Sequence, residues 1–463
     1  MRIQTIFAVL LAVLIVPAEA QQIVPTSREQ MRLTFAPVVR QVAPAVVNIY
    51  TKRVVHMAAS PMFADPMFRR FFGEVPGMTR DRVQSSLGSG VLIGADGTVV
   101  TNHHVIKDAD EITVVLADRR EFEARIIGSD ERSDLAVVKI ESKGEAFPTL
   151  ILGDSDKIEV GDVVLAIGNP FGVGQTVTQG IVSALARTNV GVSDFRSFIQ
   201  TDASINPGNS GGALVDMEGK LIGINSAIYS KDGGSNGIGF AIPTALVRNV
   251  VASIAKGGKV VRPWLGAGGQ AVTADLAQAL KLARPLGILI NNVHHDSPAA
   301  RAGLQNGDVI IAVQGREVDD PESLRFRLAT LPIGGDAQLT LLRGGVERRV
   351  NVRLIAPPET PARDQTELGG RNPFSGATIV NINPALAEEI GINSGQIGVL
   401  VLGVRRGSVA NRLGVLPGDH ILRINDKPVA SVADVKRLVE GERPRWSITI
   451  NRNGETMTQV IGG

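Results

Sequence analysis

The chain of 463 residues has no cysteine. Disulfides, thiol nucleophiles and thiolate metal sites are therefore excluded, and its domains must be held by their cores alone. Aromatic residues are scarce, at 4% beside 51 glycines, a balance that favours short strands and tight turns over long helices. Net charge is small too: 48 basic against 46 acidic side chains leave +2. Nothing in the bulk charge points to nucleic acid or to an acidic surface as partner. No glycine-rich phosphate loop opens a helix, so neither a nucleotide nor any other cofactor is implied. Beyond residue 20 no apolar run approaches the roughly 20 residues that a membrane-spanning helix needs.

The chain begins "MRIQTIFAVLLAVLIVPAEA". Arg2, the apolar run Ile6 to Val16, Pro17 and the pattern Ala18-Glu19-Ala20 make residues 1–20 a cleavable signal peptide. An uncleaved anchor is the alternative, but the run is about half a bilayer span. The mature protein is expected outside the cytoplasm, with no stable span after cleavage. Its length exceeds what one core supports, so several domains are expected. From Leu87 to Ile242, short β-branched runs alternate with Gly, Asp and Asn, as in "GSGVLIGADGTVVTN", "SDLAVVKI" and "GDVVLAIGNP". They predict an all-β barrel or sandwich. "LVDMEGKLIGI" predicts a hairpin turning at Asp216 to Gly219, and "PTALVRNVVASIAK" a helix that starts at Pro243 and Thr244 and ends before Gly257. In "PMFADPMFRRFF", Phe63, Met67 and Phe71 with Phe68 and Phe72 recur at helical spacing, a face that packs on its own domain or on another subunit.

The rest is duplicated. "GILINNVHHDSPAARAGLQNGDVIIAVQGREV" from Gly287 matches "GVLVLGVRRGSVANRLGVLPGDHILRINDKPV" from Gly398, with Gly307-Asp308 aligned to Gly418-Asp419. Each copy carries strands, a glycine-aspartate turn and one helix, "DPESLRFRLATL" or "SVADVKRLVE", the content of a small α+β module. "APPETPARDQTELGGRNP" between them reads as a linker.

"INPGNSGGALVD" places Ser210 among glycines. A hydroxyl becomes a nucleophile when a base takes its proton and donors stabilise the resulting oxyanion. The amides of Gly208 and Ser210 can serve as those donors, and Gly211 and Gly212 leave space for a substrate backbone. "GNSGG" also fits the nucleophile elbow of esterases and lipases. That elbow needs a strand before the serine, a helix after it, and Asp and His downstream. Here a hairpin follows, and the downstream histidines His294, His295 and His420 lie in the duplicated modules. Upstream, "VVTNHHVI" supplies His103 and His104, and "SDERSDLAVVKI" supplies Asp134, with Asp130 as a rival that reads as a turn residue. His, Asp, Ser is the order of chymotrypsin-like proteases. Spacing alone does not separate His103 from His104. "VHHDSP" (His294, His295, Asp296) is a poor chelate, expected to face solvent, and no metal is inferred.

"TNHHVI", "SDLAVV" and "GNSGGAL", followed by repeats bearing "SPAARAGLQNGDVI" and "SVANRLGVLPGDHI", closely resemble the HtrA/Deg family of exported serine proteases with tandem PDZ domains. The resemblance implies a mainly β chain: a chymotrypsin-like double β-barrel protease domain (21–258) followed by two small α+β PDZ domains (259–356 and 373–463) joined by a linker (357–372). It assigns the catalytic roles to His104, Asp134 and Ser210, with Gly208 and Ser210 as oxyanion hole, and leaves His103 a surface histidine or a modulator. Ile205 and Ile228 match the lining of a pocket for small aliphatic side chains, and Arg187 matches an activation-loop arginine that links PDZ state to catalysis. Leu265, Gly266 and Ala267 in "RPWLGAGG" match the PDZ carboxylate cradle; in "PFSGAT" of the second copy, Ser375 replaces an apolar residue, weakening peptide binding and favouring assembly. The expected activity is an ATP-independent serine endopeptidase with a holdase function. Expected partners are unfolded proteins, C-terminal peptides and copies of the chain in trimers or larger assemblies. The cysteine-free stretch Met57 to Ser86 resembles the short-loop subgroup. The rival readings are a PDZ-based holdase or scaffold with a latent protease domain, and an esterase.

Overall fold

Twelve strands close into two barrels in the computed structural model, which describes residues 34–55, 82–142, 144–170, 174–187, 198–228, 235–257, 260–392, 397–441 and 443–462. The aromatic face at Phe63 to Phe72, the signal segment and most of the Met57 to Ser86 stretch lie outside them. Strands β1 (Val46–Val55), β2 (Arg82–Gly94), β3 (Thr98–Thr101), β4 (Glu111–Val115), β5 (Glu121–Asp130) and β6 (Leu135–Ile140) form the first barrel in the order β1-β2-β3-β6-β5-β4. Strands β7 (Val163–Gly168), β8 (Thr176–Arg187), β9 (Phe198–Thr201), β10 (Ala213–Val215), β11 (Leu221–Ile228) and β12 (Gly239–Pro243) form the second, in the order β10-β11-β12-β9-β8-β7. The predicted hairpin is β10 and β11, its turn closed by the Gly219 amide on Asp216 O at 3.1 Å. The predicted helix runs Thr244–Ala255 and seats Leu246, Val247, Val250 and Ile254 in one core with Leu135, Val138, Leu165 and Ile167 of both barrels. Buried residues shared in this way make the barrels one folding unit.

Two further sheets carry the duplicated segments. The first runs Ala267–Ala271, Ile288–Val293, Val309–Val313, Asp336–Arg343, Val346–Arg353. The second repeats that order as Ala377–Ile382, Gly398–Val404, His420–Ile424, Arg445–Arg452, Glu455–Gly462, and adds Thr366–Glu367 at the edge beside Ala377–Ile382. Each copy has its expected helix, Pro321–Ala329 or Val432–Val439, both opening with a capping box, on Asp320 and on Ser431, but not that helix alone: the shorter Ala274–Ala279 and Pro298–Arg301 accompany the first, and Pro384–Ile390 and Val409–Arg412 the second. The stretch 357–372 is not all spacer. Thr366–Glu367 pairs with Thr378 and Ile379, and Leu368, 5% exposed, belongs to the second module's core. Proline and charge concealed a short strand whose stability comes from its neighbours.

The aligned Gly-Asp turns have a physical basis. Arg343 grips Asp308 through two bonds of 2.6 and 2.7 Å and also donates to Gly303 O; Arg452 grips Asp419 at the same distances and donates to Gly414 O. Both carboxylates are 1% exposed. The same brace therefore closes both copies, using an arginine that lies over 30 residues downstream of its aspartate.

The first module docks on the protease domain through the outer face of Pro321–Ala329. Phe326 and Ala329 enter the protease core, Arg327 pairs with Asp156 at 2.8 Å, and Asn249 donates to Ala329 O at 2.8 Å. Leu324 and Leu328 of the same helix face the module's own core. No helix among the described residues is long and apolar enough to cross a membrane.

Asp308→Ala leaves Arg343 facing a vacated, buried position and is expected to lower the first module's stability by about 3 kcal/mol, read by denaturant unfolding. Burial pushes the Asp308 carboxyl up, but its bonds with Arg343 and the Gln305 amide hold it below its ordinary value of 3.8. A carboxyl depressed in the folded state stabilises above the unfolded pKa, so this contribution is present above about pH 4 and is lost as pH falls through the lowered folded value.

Candidate active site

Asn102 ends the extended chain after β3, and the single turn His103–Ile106 follows. Successive side chains on a helical turn diverge by about 100°, so the two histidines take different surroundings. His104 points to Asp134: Nδ1 lies 2.8 Å from Oδ2 and 3.0 Å from Oδ1, and the His104 amide donates to Oδ1 at 3.0 Å. Its ring is half exposed. Of the two readings for His103, a freely solvated surface histidine does not fit: the residue is half-buried, and both ring nitrogens are buried with no hydrogen-bond partner among the described residues. Its amide donates to Asp134 O at 3.1 Å, and Asn102 Nδ2 donates to the same oxygen at 2.9 Å.

Asp134 precedes β6 with φ at +54°, a left-handed conformation that Asp tolerates better than most residues. It is 7% exposed. Its Oδ2 also accepts a 2.8 Å bond from Ser226 Oγ on β11, so one carboxylate joins the two barrels. The rival Asp130 ends β5 rather than serving only as a turn residue. It takes the Ser133 amide at 3.2 Å and is ion-paired with Arg262, a buried pair between the protease domain and the start of the first module.

Ser210 lies between β9 and β10. Its hydroxyl donates to Ser226 O at 3.0 Å, so among the described residues Ser210 and His104 are linked through Ser226 and Asp134. The amides of Gly208 and Ser210 donate to no described group, whereas those of Asn209, Gly211 and Gly212 are engaged by Asn206, Asn225 and Asn209 carbonyls. Gly208 has φ at +95° and Gly211 at +84°. A Cβ on Gly211 would come within 2.1 Å of Ser89 O, so no other residue fits between the hydroxyl and the first barrel.

Ser89 and Ser226 were not singled out from the sequence. Ser89 on β2 holds the nucleophile loop from the other barrel: its amide donates to Ser210 O at 2.8 Å, its hydroxyl to Gly208 O at 2.6 Å, and it accepts the Asn169 amide at 2.9 Å. "LGSGV" and "INSAI" resemble other strand segments, and only the approach of the barrels distinguishes them. Ile205 is 1% exposed and packs in the second barrel's core against Gly239, where a Cβ would meet Ile205 Cδ1 at 2.9 Å. Ile228 is opposite Gly239 in the ladder, and Arg187 ends β8 opposite Phe198; the side chains of Ile228 and Arg187 lie outside the described set.

In the first module Leu265, Gly266 (φ +72°) and Ala267 lead into the edge strand. The amides of Leu265 and Gly266 donate to no described group. They border a cavity of about 160 Å³ between this strand and the helix Pro321–Ala329, lined also by Leu324, Arg325 and Leu328. Glu388 and Ile392 of the second module close one side of it. Burial pushes the Glu388 carboxyl up, opposed by the nearby Arg132, Arg325 and Arg262 guanidiniums. Arg132, in the turn before Asp134, donates to Glu388 O. In "VHHDSP", His295 is 93% exposed and pairs with the exposed Asp296, while His294 packs edge-on against Trp264 with ring centres 5.3 Å apart.

A trypsin-like peptidase domain profile matches residues 88–224, and PDZ domain profiles match 265–354 and 400–452. The probable periplasmic serine endoprotease DegP-like of Pseudomonas putida (strain W619) is 40% identical over 427 residues, 89% of this chain and 88% of that one. The periplasmic serine endoprotease DegP of Salmonella typhimurium is 36% identical over 452 residues, 92% of this chain and 91% of the relative. Among solved structures, the HtrA-type protease AlgW with decapeptide is 48% identical with a TM-score of 0.53, covering 70% of this chain and 99% of its own. The double barrel, the PDZ sheets and relatives of this identity along nearly the whole chain agree: the protein is a serine endoprotease and belongs to the HtrA/DegP family.

Proposed function

We propose that this endoprotease works in the periplasm, after signal cleavage, on unfolded or damaged proteins, without ATP, with His104, Asp134 and Ser210 as its triad. The observation that carries this reading is the bonded chain Ser210, Ser226, Asp134, His104 beside two amides that donate to no described group. Asp134 fixes His104 with Nδ1 toward the carboxylate, leaving Nε2 to act as base. Rotation of the Ser210 hydroxyl away from Ser226 O brings its proton to Nε2 as Oγ attacks the scissile carbonyl. The Gly208 and Ser210 amides receive the oxyanion, and His104 returns the proton to the leaving amine. Water then hydrolyses the acyl-enzyme by the same steps. Ile205 and Ile228 provide an apolar wall that favours small aliphatic side chains before the cut and excludes charge.

Activity is governed by the first PDZ module through the helix Pro321–Ala329. This helix walls the peptide cavity with Leu324 and Leu328, while Phe326 and Arg327 border the protease beside Leu185 and Phe198, at the base of the segment that follows Arg187. A peptide carboxylate on Leu265, Gly266 and Ala267 shifts the helix and thereby the activation segment. A holdase function and assembly into trimers or larger particles complete the proposal.

Incubated with an unfolded, cysteine-free protein, a metal chelator and no ATP, the parent is expected to yield fragments ending in small aliphatic residues. Ser210→Ala yields none yet still suppresses aggregation, and Asp134→Asn lowers kcat on the order of 10⁴-fold. Cleavage by Ser210→Ala would remove the triad assignment; aggregation in its presence would remove the holdase.

Ser226→Ala keeps the carbonyl that receives Ser210 but deletes the bond to the Asp134 carboxylate. A charge-assisted bond of this kind predicts a kcat loss of about tenfold to hundredfold with KM little changed. An unchanged kcat in steady-state peptide cleavage contradicts that role.

Phe326→Ala is expected to bind an apolar C-terminal peptide as the parent does while losing the peptide's stimulation of cleavage. Full stimulation in this variant, measured alongside binding by fluorescence anisotropy, would place the coupling elsewhere.

A further inference from the structure

The two PDZ modules repeat one strand order, yet among the described residues only the second has a strand laid along the edge that flanks its cradle. We infer that residues 364–368 are a tethered internal ligand that fills the second module's peptide groove and satisfies its cradle.

The equivalence of the two cradles is shown by the backbone. In the first copy the Ala299 amide donates to Leu265 O and the His294 amide to Gly266 O; in the second the Ala410 amide donates to Ser375 O and the Arg405 amide to Gly376 O. Gly266 and Gly376 are both left-handed, at +72° and +88°, and a Cβ on either would strike the serine that caps a short helix, Ser297 before Pro298–Arg301 or Ser408 before Val409–Arg412. Ser375 and Gly376 thus stand where Leu265 and Gly266 stand.

Their amides differ. Leu265 and Gly266 donate to no described group, whereas the Gly376 amide donates to Leu368 O at 2.7 Å and the Ser375 amide to Asn372 O at 3.2 Å. Thr366 and Glu367 pair antiparallel with Ile379 and Thr378, and the Leu368 amide donates to Ala377 O at 2.9 Å. This is the ladder and direction of a peptide added to a sheet edge with its last residue at the cradle. The Leu368 carbonyl takes the place of the terminal carboxylate. Its side chain is buried in a cluster with Phe374, Val435 and Val439, so the helix Val432–Val439 forms the other wall. Lys436 on that helix pairs with Asp364 at 3.2 Å, fixing the far end of the segment between strand and helix. In the first groove no added strand lies between cradle and helix among the described residues, whereas in the second the chain itself lies between them, and the cavity left beside Lys436 and Val439 has Leu368 to Asn372 as a wall. A segment joined to its site through the seven residues 369–375, between Leu368 and Gly376, acts at an effective concentration that a free peptide must exceed. The second module therefore does not receive C-terminal peptides while this strand is seated, and a ligand that engages it must first displace residues 364–368.

The experiment uses the full chain carrying Ser210→Ala, so that no probe is cut. Hydrogen exchange followed by NMR is expected to be slow at the Gly376 amide and fast at Gly266. Exchange at Gly376 as fast as at Gly266 would overturn the proposal whatever any variant does. A labelled copy of the tether, ETPARDQTEL with a free carboxylate, is then titrated into this protein and into its Leu368→Gly and Leu368→Ala derivatives. At least one derivative is expected to bind one more peptide per chain than the parent while the second sheet stays protected from exchange. The proposal is wrong if the stoichiometries are equal although Gly376 has become exposed, or if the parent already fills the second groove at the affinity of the derivatives. Because the readout is the difference from the parent, a first module that binds no peptide lowers both stoichiometries equally and counts only against its own cradle.

Discussion

The Asp134 carboxylate is the point on which the site depends. It is nearly buried and accepts from the His104 ring, the His104 amide and the Ser226 hydroxyl. A carboxylate taken out of water costs several kcal/mol unless such partners meet it. One partner belongs to the first barrel and the other to the second, so the favourable arrangement exists only when the barrels close on each other. Ser89 makes the reverse connection, from the first barrel to the loop that carries Ser210. The His104 imidazole, the Ser210 hydroxyl and the Gly208 and Ser210 amides, which donate to no described group, are thereby tied together by bonds that cross between the barrels.

The two PDZ modules reach the same region. Arg262 pairs with Asp130 and also borders the first peptide cavity. Arg132, between Asp130 and Asp134, donates to the second module at Glu388. Buried charges in such a junction strengthen one another only while all partners are in place, so displacement of one module alters the environment of the turn before Asp134. The helix Pro321–Ala329 offers a second route, since its two faces serve the peptide cavity and the protease core. The two PDZ copies share the Asp–Arg brace that closes their folds and differ at one sheet edge, where the second carries the added strand Thr366–Glu367. Duplication preserved the core, and the intervening chain covers an edge in the second copy.

The barrel pattern, the hairpin after Ser210, the helix at Thr244 and the repeat were legible because each rests on local periodicity and turn chemistry. The order of His, Asp and Ser was legible as well, since their surroundings in the chain are distinctive. Neighbouring histidines at 103 and 104 were not separable by spacing, because their difference arises from the direction each side chain takes off one helical turn. Ser89 and Ser226 carry no local signature; their roles come from contacts with residues 119 and 92 positions away.

Composition and order of residues in this chain decide which chemistry is available: no thiols, a glycine-flanked hydroxyl, an imidazole and a carboxylate in series, and a repeated module. Those follow from covalent sequence and short-range conformational preference. Which side chains meet was decided by tertiary structure. A linker of proline and charge becomes a strand at residues 366–367 only because an unpaired sheet edge, a cradle amide and an apolar groove stand beside it, and those are supplied by residues up to about 70 positions further along.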